Sequence, residues 1–250
     1  MSSEAIDRLA KWLLEHLGFD PRPPIPVESV AIALGVDRIH RLPLVEDGRL
    51  EQRGGCTTIF LRDDVPVGRQ RFTLAHEIGH LVLAGPEREL VARRMEGVRF
   101  SSEERFCDQF AASLLMPCEW IRSEFSGAAP QLGVARNLAD RSKSSLSASV
   151  VRLREVLGWQ TSLLHWRRYE GRWRMTTAAA LPHGLHNQVT SSEETRLVLE
   201  RLAGCDRDMR GMLPLAVRGQ AWRVPVEIAV SRNGAVAMAA FSEAMHDTPR

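Results

Sequence analysis

Hydrophobic residues in the first 160 positions of this 250-residue chain recur mostly three and four residues apart, which is the spacing of an α-helix. The stretch 36–62 alternates instead and carries the glycine turns typical of hairpins, which predicts two or three short strands. The predicted helices cover residues 4–17, a short segment ending at Gly35, 69–84, 102–116, and a pair over about 131–157. The first half is therefore expected to be helices packed around a small sheet.

From residue 161 onward the hydrophobic pattern changes to alternation, which predicts a sheet with one or two helices. In "VEIAVSRNGAVAMAAF" the pair Asn233-Gly234 separates two alternating runs and predicts a hairpin with a type I′ turn. The helix in "SSEETRLVLERLAG" is predicted to begin with a capping box from Ser191 to Glu194. Strands and helices in separate runs predict an α+β fold class.

The chain is predicted to divide near "SGAAP" at 126–130, where small residues and proline interrupt the helical pattern. Residues 128–160 contain a short helix, a polar break and a second helix, which is the outline of a helix-turn-helix. The predicted domains are 1–127, a helix-turn-helix-like segment over 128–160, and an α+β domain over 161–250.

Composition describes a globular protein with a sizeable core, since 44% of the residues are hydrophobic and 26% are charged. The formal net charge of +2 excludes a strong overall attraction to nucleic acid or to membranes. No apolar run reaches membrane-spanning length, and the acidic, amphipathic N-terminus argues against a signal peptide. The four cysteines form no CxxC pair, which favours reduced thiols and a cytoplasmic location.

The segment "RFTLAHEIGH" at 71–80 carries the strongest chemical signal in the chain. His76 and His80 lie four residues apart, so on a helix both imidazoles project from one face and can reach one metal ion. Glu77 lies between them, where its carboxylate reaches a water molecule rather than the metal. This spacing predicts a zinc site in which Glu77 is the catalytic general base.

A catalytic zinc usually has three protein ligands, and the third is expected in "EERFCDQFAASLLMP" at 103–117. Glu104 and Asp108 share one helix face, which suggests that Glu104 binds the metal and that Asp108 orients a ligand histidine by accepting its second N–H. Ser101 to Glu104 is also capping-box spacing, which competes for the same carboxylate. Glu103 is therefore the alternative ligand. Cys107 is expected to be a packed thiol.

Together these two segments resemble the ImmA/IrrE family of zinc metallopeptidases, in particular its deinococcal radiation-response members. In that family the second segment reads E-x-x-x-N/D-x-x-A-A-x-x-L-M-P, and its first glutamate, matched here by Glu104, is the third metal ligand. Asp108 stands where the family commonly has asparagine. The resemblance is strong over about residues 25–120. It implies a zincin-like, gluzincin-type domain over 1–127 that holds Zn²⁺, although nitrogen and oxygen ligands also accept Mn²⁺.

The same resemblance implies an endopeptidase that cleaves a helix-turn-helix repressor of the XRE type at one specific site. Cleavage would derepress genes of the stress or DNA-damage response. The resemblance also implies that residues 161–250 form a GAF-like domain, a fold that often binds a small molecule.

A basic stretch supports an alternative function. Residues 136–174 contain nine lysines and arginines against three acids, a local net charge of +6. This charge would suit DNA phosphates or an acidic protein surface. The alternative is a DNA-binding transcriptional regulator whose metal site is structural or vestigial. Such a regulator would need Arg152 and Arg154 more than Glu77, whereas a peptidase would need Glu77.

Overall fold

The computed structural model describes most of the chain, with short gaps. The described residues are 2–85, 88–94, 102–181, 185, 188–205 and 207–241. Within them the chain forms nine helices: α1 (Ser2–His16), α2 (Val27–Ala33), α3 (Val67–Ala84), α4 (Arg88–Arg94), α5 (Glu103–Leu115), α6 (Cys118–Phe125), α7 (Leu132–Ser142), α8 (Leu146–Leu157) and α9 (Glu193–Leu202). The strands are β1 (Arg38–Leu42), β2 (Gly48–Arg53), β3 (Cys56–Arg62), β4 (Thr161–Tyr169), β5 (Arg172–Ala179), β6 (Val189–Ser191), β7 (Met209–Val217), β8 (Gln220–Val230) and β9 (Gly234–Ala240).

The chain folds as two compact units. The first unit comprises residues 1–126 and 138–145, and the second comprises 127–137 and 146–250. No helix in the described ranges is long and apolar enough to cross a membrane.

In the first unit, helix α3 is the central element. It packs against α5 on one side and contacts β2 and β3 of the three-stranded sheet, whose order is β1-β3-β2. Strand β3 is parallel to β1 and antiparallel to β2. Leu74, Ile78 and Val82 of α3 are buried in the core, as the helical spacing predicts.

Gly79 sets how closely α3 and α5 approach each other. A Cβ atom at this position would lie 3.0 Å from the Cα of Cys107 on α5. A side chain here would therefore push the two helices apart, which explains why glycine occupies a helix interior where it costs about 1 kcal/mol relative to alanine. The close approach brings the side chains of α5 within reach of those of α3.

The second unit contains a six-stranded sheet in which every neighbouring pair is antiparallel. The strand order is β5-β4-β9-β8-β7-β6. Helix α9 packs on β5, β6 and β7, and the hydrophobic core includes Trp166 and Trp173. The mixed α+β class is confirmed by these two sheets and their helices, while the helix-turn-helix-like and GAF-like assignments stay predictions.

Most predicted elements are present with small shifts in their bounds, but two short helices were not predicted. Helix α6 follows Pro117 immediately and spans only eight residues, and α4 spans seven. Two turns of helix are too short for the hydrophobic period to stand out from its surroundings.

The predicted hairpin at Asn233-Gly234 is confirmed, but its predicted turn type is wrong. A type I′ turn needs positive φ at both central residues, and neither Asn233 nor Gly234 has one. Instead, Ser231 Oγ accepts a hydrogen bond from the Gly234 N–H at 3.1 Å and stabilises a longer loop. Positive φ at both central residues is found in the β4–β5 hairpin, at Glu170 and Gly171.

The capping box predicted at Ser191 is displaced by one residue. Ser192 is the N-cap of α9, and its hydroxyl accepts the backbone N–H of Thr195, whose own hydroxyl accepts the N–H of Ser192. Thr195, and not Glu194, completes the capping box because Thr195 lies three residues after the N-cap Ser192.

Candidate metal centre

The two histidines of α3 point toward a common position. The Nε2 atoms of His76 and His80 lie 3.2 Å apart, and both rings are partly buried. One helical turn separates the two residues, so their side chains project from the same face. A pair of imidazole nitrogens at this separation can hold one ion between them.

Helix α5 brings Glu104 to the same position. One carboxylate oxygen lies 3.2 Å from His76 Nε2, and the other lies 3.5 Å from His80 Nε2. Zinc binds nitrogen and oxygen at about 2.0–2.1 Å in a tetrahedron, whose ligand atoms are then about 3.3 Å apart. The three donor pairs match that separation, so these residues fit a zinc-sized ion.

The opposite edge of each imidazole is also occupied. His76 Nδ1 lies 2.9 Å from Asp108 Oδ1, and His80 Nδ1 lies 2.8 Å from Glu103 Oε1. A carboxylate only accepts hydrogen bonds, so each Nδ1 carries the proton and donates it. Each Nε2 is left with a free lone pair, which is the form that binds a metal.

Glu77 lies beside these groups but is much less exposed. Only 7% of Glu77 is accessible to solvent, whereas the side chain of Glu104 is 71% accessible. Burial raises the pKa of the Glu77 carboxyl above its usual value, while the neighbouring His80 and His76 act to lower it. A raised pKa makes a carboxylate a stronger proton acceptor.

Cys107 offers a second candidate for the third donor. The Cys107 Sγ and one ring nitrogen each of His76 and His80 all lie within 4.8 Å of one another. Burial raises the pKa of this thiol to about 12, so it is neutral at physiological pH, and the thiol packs against Gly79. Glu104 is the better third donor because both of its oxygens lie within 3.5 Å of an Nε2 atom.

The expected competition between capping and metal binding does not arise for Glu104. The N-cap of α5 is Ser102, whose hydroxyl accepts the backbone N–H of Arg105 at 3.3 Å. Glu104 is therefore the second residue of the helix, and Ser102 rather than Glu104 caps its N-terminus. Ser101, on which the predicted capping box depended, lies outside the described residues.

Comparison with known proteins concerns the same part of the chain. The sequence model of the IrrE N-terminal-like domain, a peptidase family, matches residues 39–154. These residues belong to the ImmA/IrrE family. The matched range includes α3 and α5, and therefore every residue of the centre described above.

Two curated relatives of this chain are radiation response metalloproteases named IrrE. The one from Deinococcus radiodurans is 38% identical over 90 residues, which are 35% of this chain and 27% of the relative. The one from Deinococcus deserti is 36% identical over 100 residues, which are 39% of this chain and 36% of the relative. This chain therefore matches about a third or less of each relative's length, and the similarity supports a metallopeptidase domain.

A solved structure shares the fold over most of this chain. It is a Mycobacterium tuberculosis transcriptional regulator, with a TM-score of 0.55 and 13% sequence identity. The match covers 94% of this chain and 76% of the other. At this identity the likeness concerns the fold alone.

Proposed function

We propose that this protein is a zinc-dependent endopeptidase that cleaves an XRE-type helix-turn-helix repressor at one specific site and so derepresses stress or DNA-damage genes. The observation that carries the peptidase is the meeting of His76, His80 and Glu104 with Glu77 beside them. A purely structural metal site would need no buried base next to its ligands.

The catalytic roles follow from the chemistry of the side chains. Zinc, when bound, supplies Lewis acidity that makes water acidic near neutral pH and polarises a peptide carbonyl. Glu77 accepts the proton of the attacking water and then delivers it to the departing amine. Burial suits Glu77 to both steps, because the raised pKa strengthens the base and leaves it able to return the proton. Asp108 holds the ring of His76 through Nδ1.

The substrate and the regulated genes rest on the family resemblance. Both curated relatives are named for a radiation response, which supports a role in the response to damage. The helix-turn-helix-like segment over 128–160 and a GAF-like domain over 161–250 are part of the same proposal, with the second as the candidate site for a small-molecule signal.

The alternative, a DNA-binding regulator, loses support from the two arginines on which it depended. Arg152 is 1% accessible, and Arg154 donates a hydrogen bond to the backbone carbonyl of Ala180. The Arg152 side chain is therefore shielded from solvent, and the partly buried Arg154 guanidinium already has a backbone partner, so neither is free to contact a phosphate as the alternative requires.

The test combines the purified protein with helix-turn-helix repressors from its own genome, with zinc, with Mn²⁺ and after chelation. A discrete fragment that depends on zinc is expected, and the Glu77→Gln variant should produce none. Fragments that persist after chelation would contradict a metallopeptidase. Digestion of any unfolded protein would contradict site specificity, and an intact repressor in every condition would refute the proposed substrate class.

A further inference from the structure

The contact between Glu103 and His80 has no part in the mechanism above. Glu103 is the first residue of α5, and its Oε1 lies 2.8 Å from His80 Nδ1. The contact joins residues that are 23 positions apart in sequence, so it depends on the packing of α5 against α3. It is as short as the contact between Asp108 and His76, at 2.9 Å.

Glu103 touches the wrong edge of the ring to be a metal ligand. Nδ1 and Nε2 lie on opposite edges of an imidazole, and the other donors gather at Nε2 of His80. By accepting the Nδ1 proton, Glu103 fixes the tautomer in which the lone pair is on Nε2. The same hydrogen bond also restrains rotation of the imidazole ring about the Cβ–Cγ bond of His80.

We infer that Glu103 is a positioning residue for His80, acting on this histidine as Asp108 acts on His76. The inference rests on the metal site of the proposed function. The three carboxylates of α5 then have different roles. Glu104 binds the ion, whereas Glu103 and Asp108 each orient one ligand imidazole. Both histidines are fixed in orientation before a metal arrives, which lowers the entropy lost on binding.

Glu103 could instead serve only to stabilise the N-terminus of α5, in which case its loss should not affect the orientation of His80. Acids in the first turn of a helix favour the positive end of its dipole, and Glu103 stands in that position. Helix α9 provides a matched control, because it begins with Ser192 as N-cap followed by Glu193 and Glu194, just as α5 begins with Ser102, Glu103 and Glu104. Glu193 contacts only Arg196 among the hydrogen bonds described for its side chain.

The test measures zinc affinity by competition with a chromogenic chelator, using the intact protein and its Glu103→Gln, Asp108→Ala and Glu193→Gln variants. Loss of an orienting carboxylate is expected to weaken zinc binding by about 10–100-fold in the first two. The Glu193→Gln variant should stay within about twofold of the unmodified protein. A Glu103→Gln variant that behaves like Glu193→Gln would overturn the inference.

A second measurement reports the tautomer directly. In ¹⁵N-labelled protein loaded with zinc, the Nδ1–H of His80 should be visible and slow to exchange, and it should exchange rapidly in Glu103→Gln. The His80→Asn variant identifies the signal. An Nδ1–H that is equally protected in both proteins would also overturn the inference.

These readouts separate this inference from the proposed activity, because neither requires a substrate. Weakened zinc binding with no cleavage of any repressor would refute the substrate and leave Glu103 in its role. Failure of the unmodified protein to bind zinc would refute both.

Discussion

Single residues of α3 and α5 decide the chemistry of the centre, and Glu77 is the clearest case. It is one position from His76, a proposed metal ligand, yet it is more buried than Glu104. Burial is the main influence on the pKa of its carboxyl group and raises that pKa above its usual value. The proposed roles of Glu77 as base and Glu104 as ligand thus correspond to a difference in burial between the two glutamates.

Replacing Glu77 by glutamine should separate metal binding from catalysis. The amide cannot accept the proton of water, so cleavage of the repressor should fall at least about 100-fold. Zinc affinity should change by less than about tenfold, since no ligand is lost. Parallel measurements of cleavage rate and zinc content check this, and a variant that cleaves normally would disprove the role of Glu77 as base.

At the scale of elements, the distance between α3 and α5 determines whether the donors meet. Gly79 and Cys107 set this distance, because backbone lies 3.0 Å from where a Cβ at Gly79 would stand. A change here moves Glu103, Glu104 and Asp108 together, since all three are carried by α5.

Gly79→Ala is expected to destabilise the protein by about 1–3 kcal/mol and to weaken zinc binding, because overpacking outweighs the gain in helix propensity. Gly133→Ala, in α7, is the control: a Cβ there meets nothing within 4 Å, so this change should be neutral or stabilising by up to about 1 kcal/mol. Denaturant unfolding of both variants tests the pair, and equal effects would contradict close packing at Gly79.

The hairpins offer a second test at this scale. Glu170 has φ 48° in the β4–β5 turn, a conformation that asparagine adopts at lower cost. Glu170→Asn should therefore raise the free energy of unfolding by about 0.5–1 kcal/mol. Asn233→Ala, in a turn without positive φ, should have little effect. The reverse ranking in thermal or chemical unfolding would show that the turn types are assigned to the wrong hairpins.

For the whole molecule, zinc should couple to stability, because the ligands are assembled only in the folded first unit. At free zinc about a hundredfold above its Kd, the expected gain is about 2.7 kcal/mol. Thermal unfolding with zinc and after chelation measures this gain. The His80→Ala variant, which lacks a ligand, should show almost none of it. An equal zinc effect in this variant would locate the binding elsewhere.

The charge of the basic stretch is also decided at this scale. Arg136 pairs with Asp208, Arg141 with Glu124 and Arg168 with Glu200. Arg152 is buried and Arg154 donates a hydrogen bond to a backbone carbonyl. Five of the nine basic side chains behind the +6 charge therefore already have partners or are buried within the fold. Fewer basic side chains are therefore available to bind DNA phosphates than the sequence of this stretch suggests.

Arg152→Ala is accordingly expected to cost about 2 kcal/mol or more in stability, since it removes a large buried side chain and leaves its partners unpaired. Arg172→Ala, at an exposed position of β5, should cost less than about 0.5 kcal/mol. Chemical unfolding of the two variants provides the comparison. An Arg152→Ala protein of normal stability that had lost DNA binding would restore the regulator as the better explanation.

The sequence by itself determined what depends on residues a few positions apart. The helical twist places His76 and His80 on one face, and the hydrophobic period fixes which face of α3 is buried, so the proximity of the two imidazoles and the core of that helix could be predicted. The sequence also favoured Glu104 over Glu103 as the third ligand, but only the tertiary structure decided where Glu103, Glu104 and Cys107 lie relative to the histidines. Their distances to the histidines are set by the docking of one helix on another, which residues such as Gly79 control. The turn at Asn233 and the pairing of the arginines were decided in the same way, because strand register and long-range contacts outweighed the local preferences of the chain.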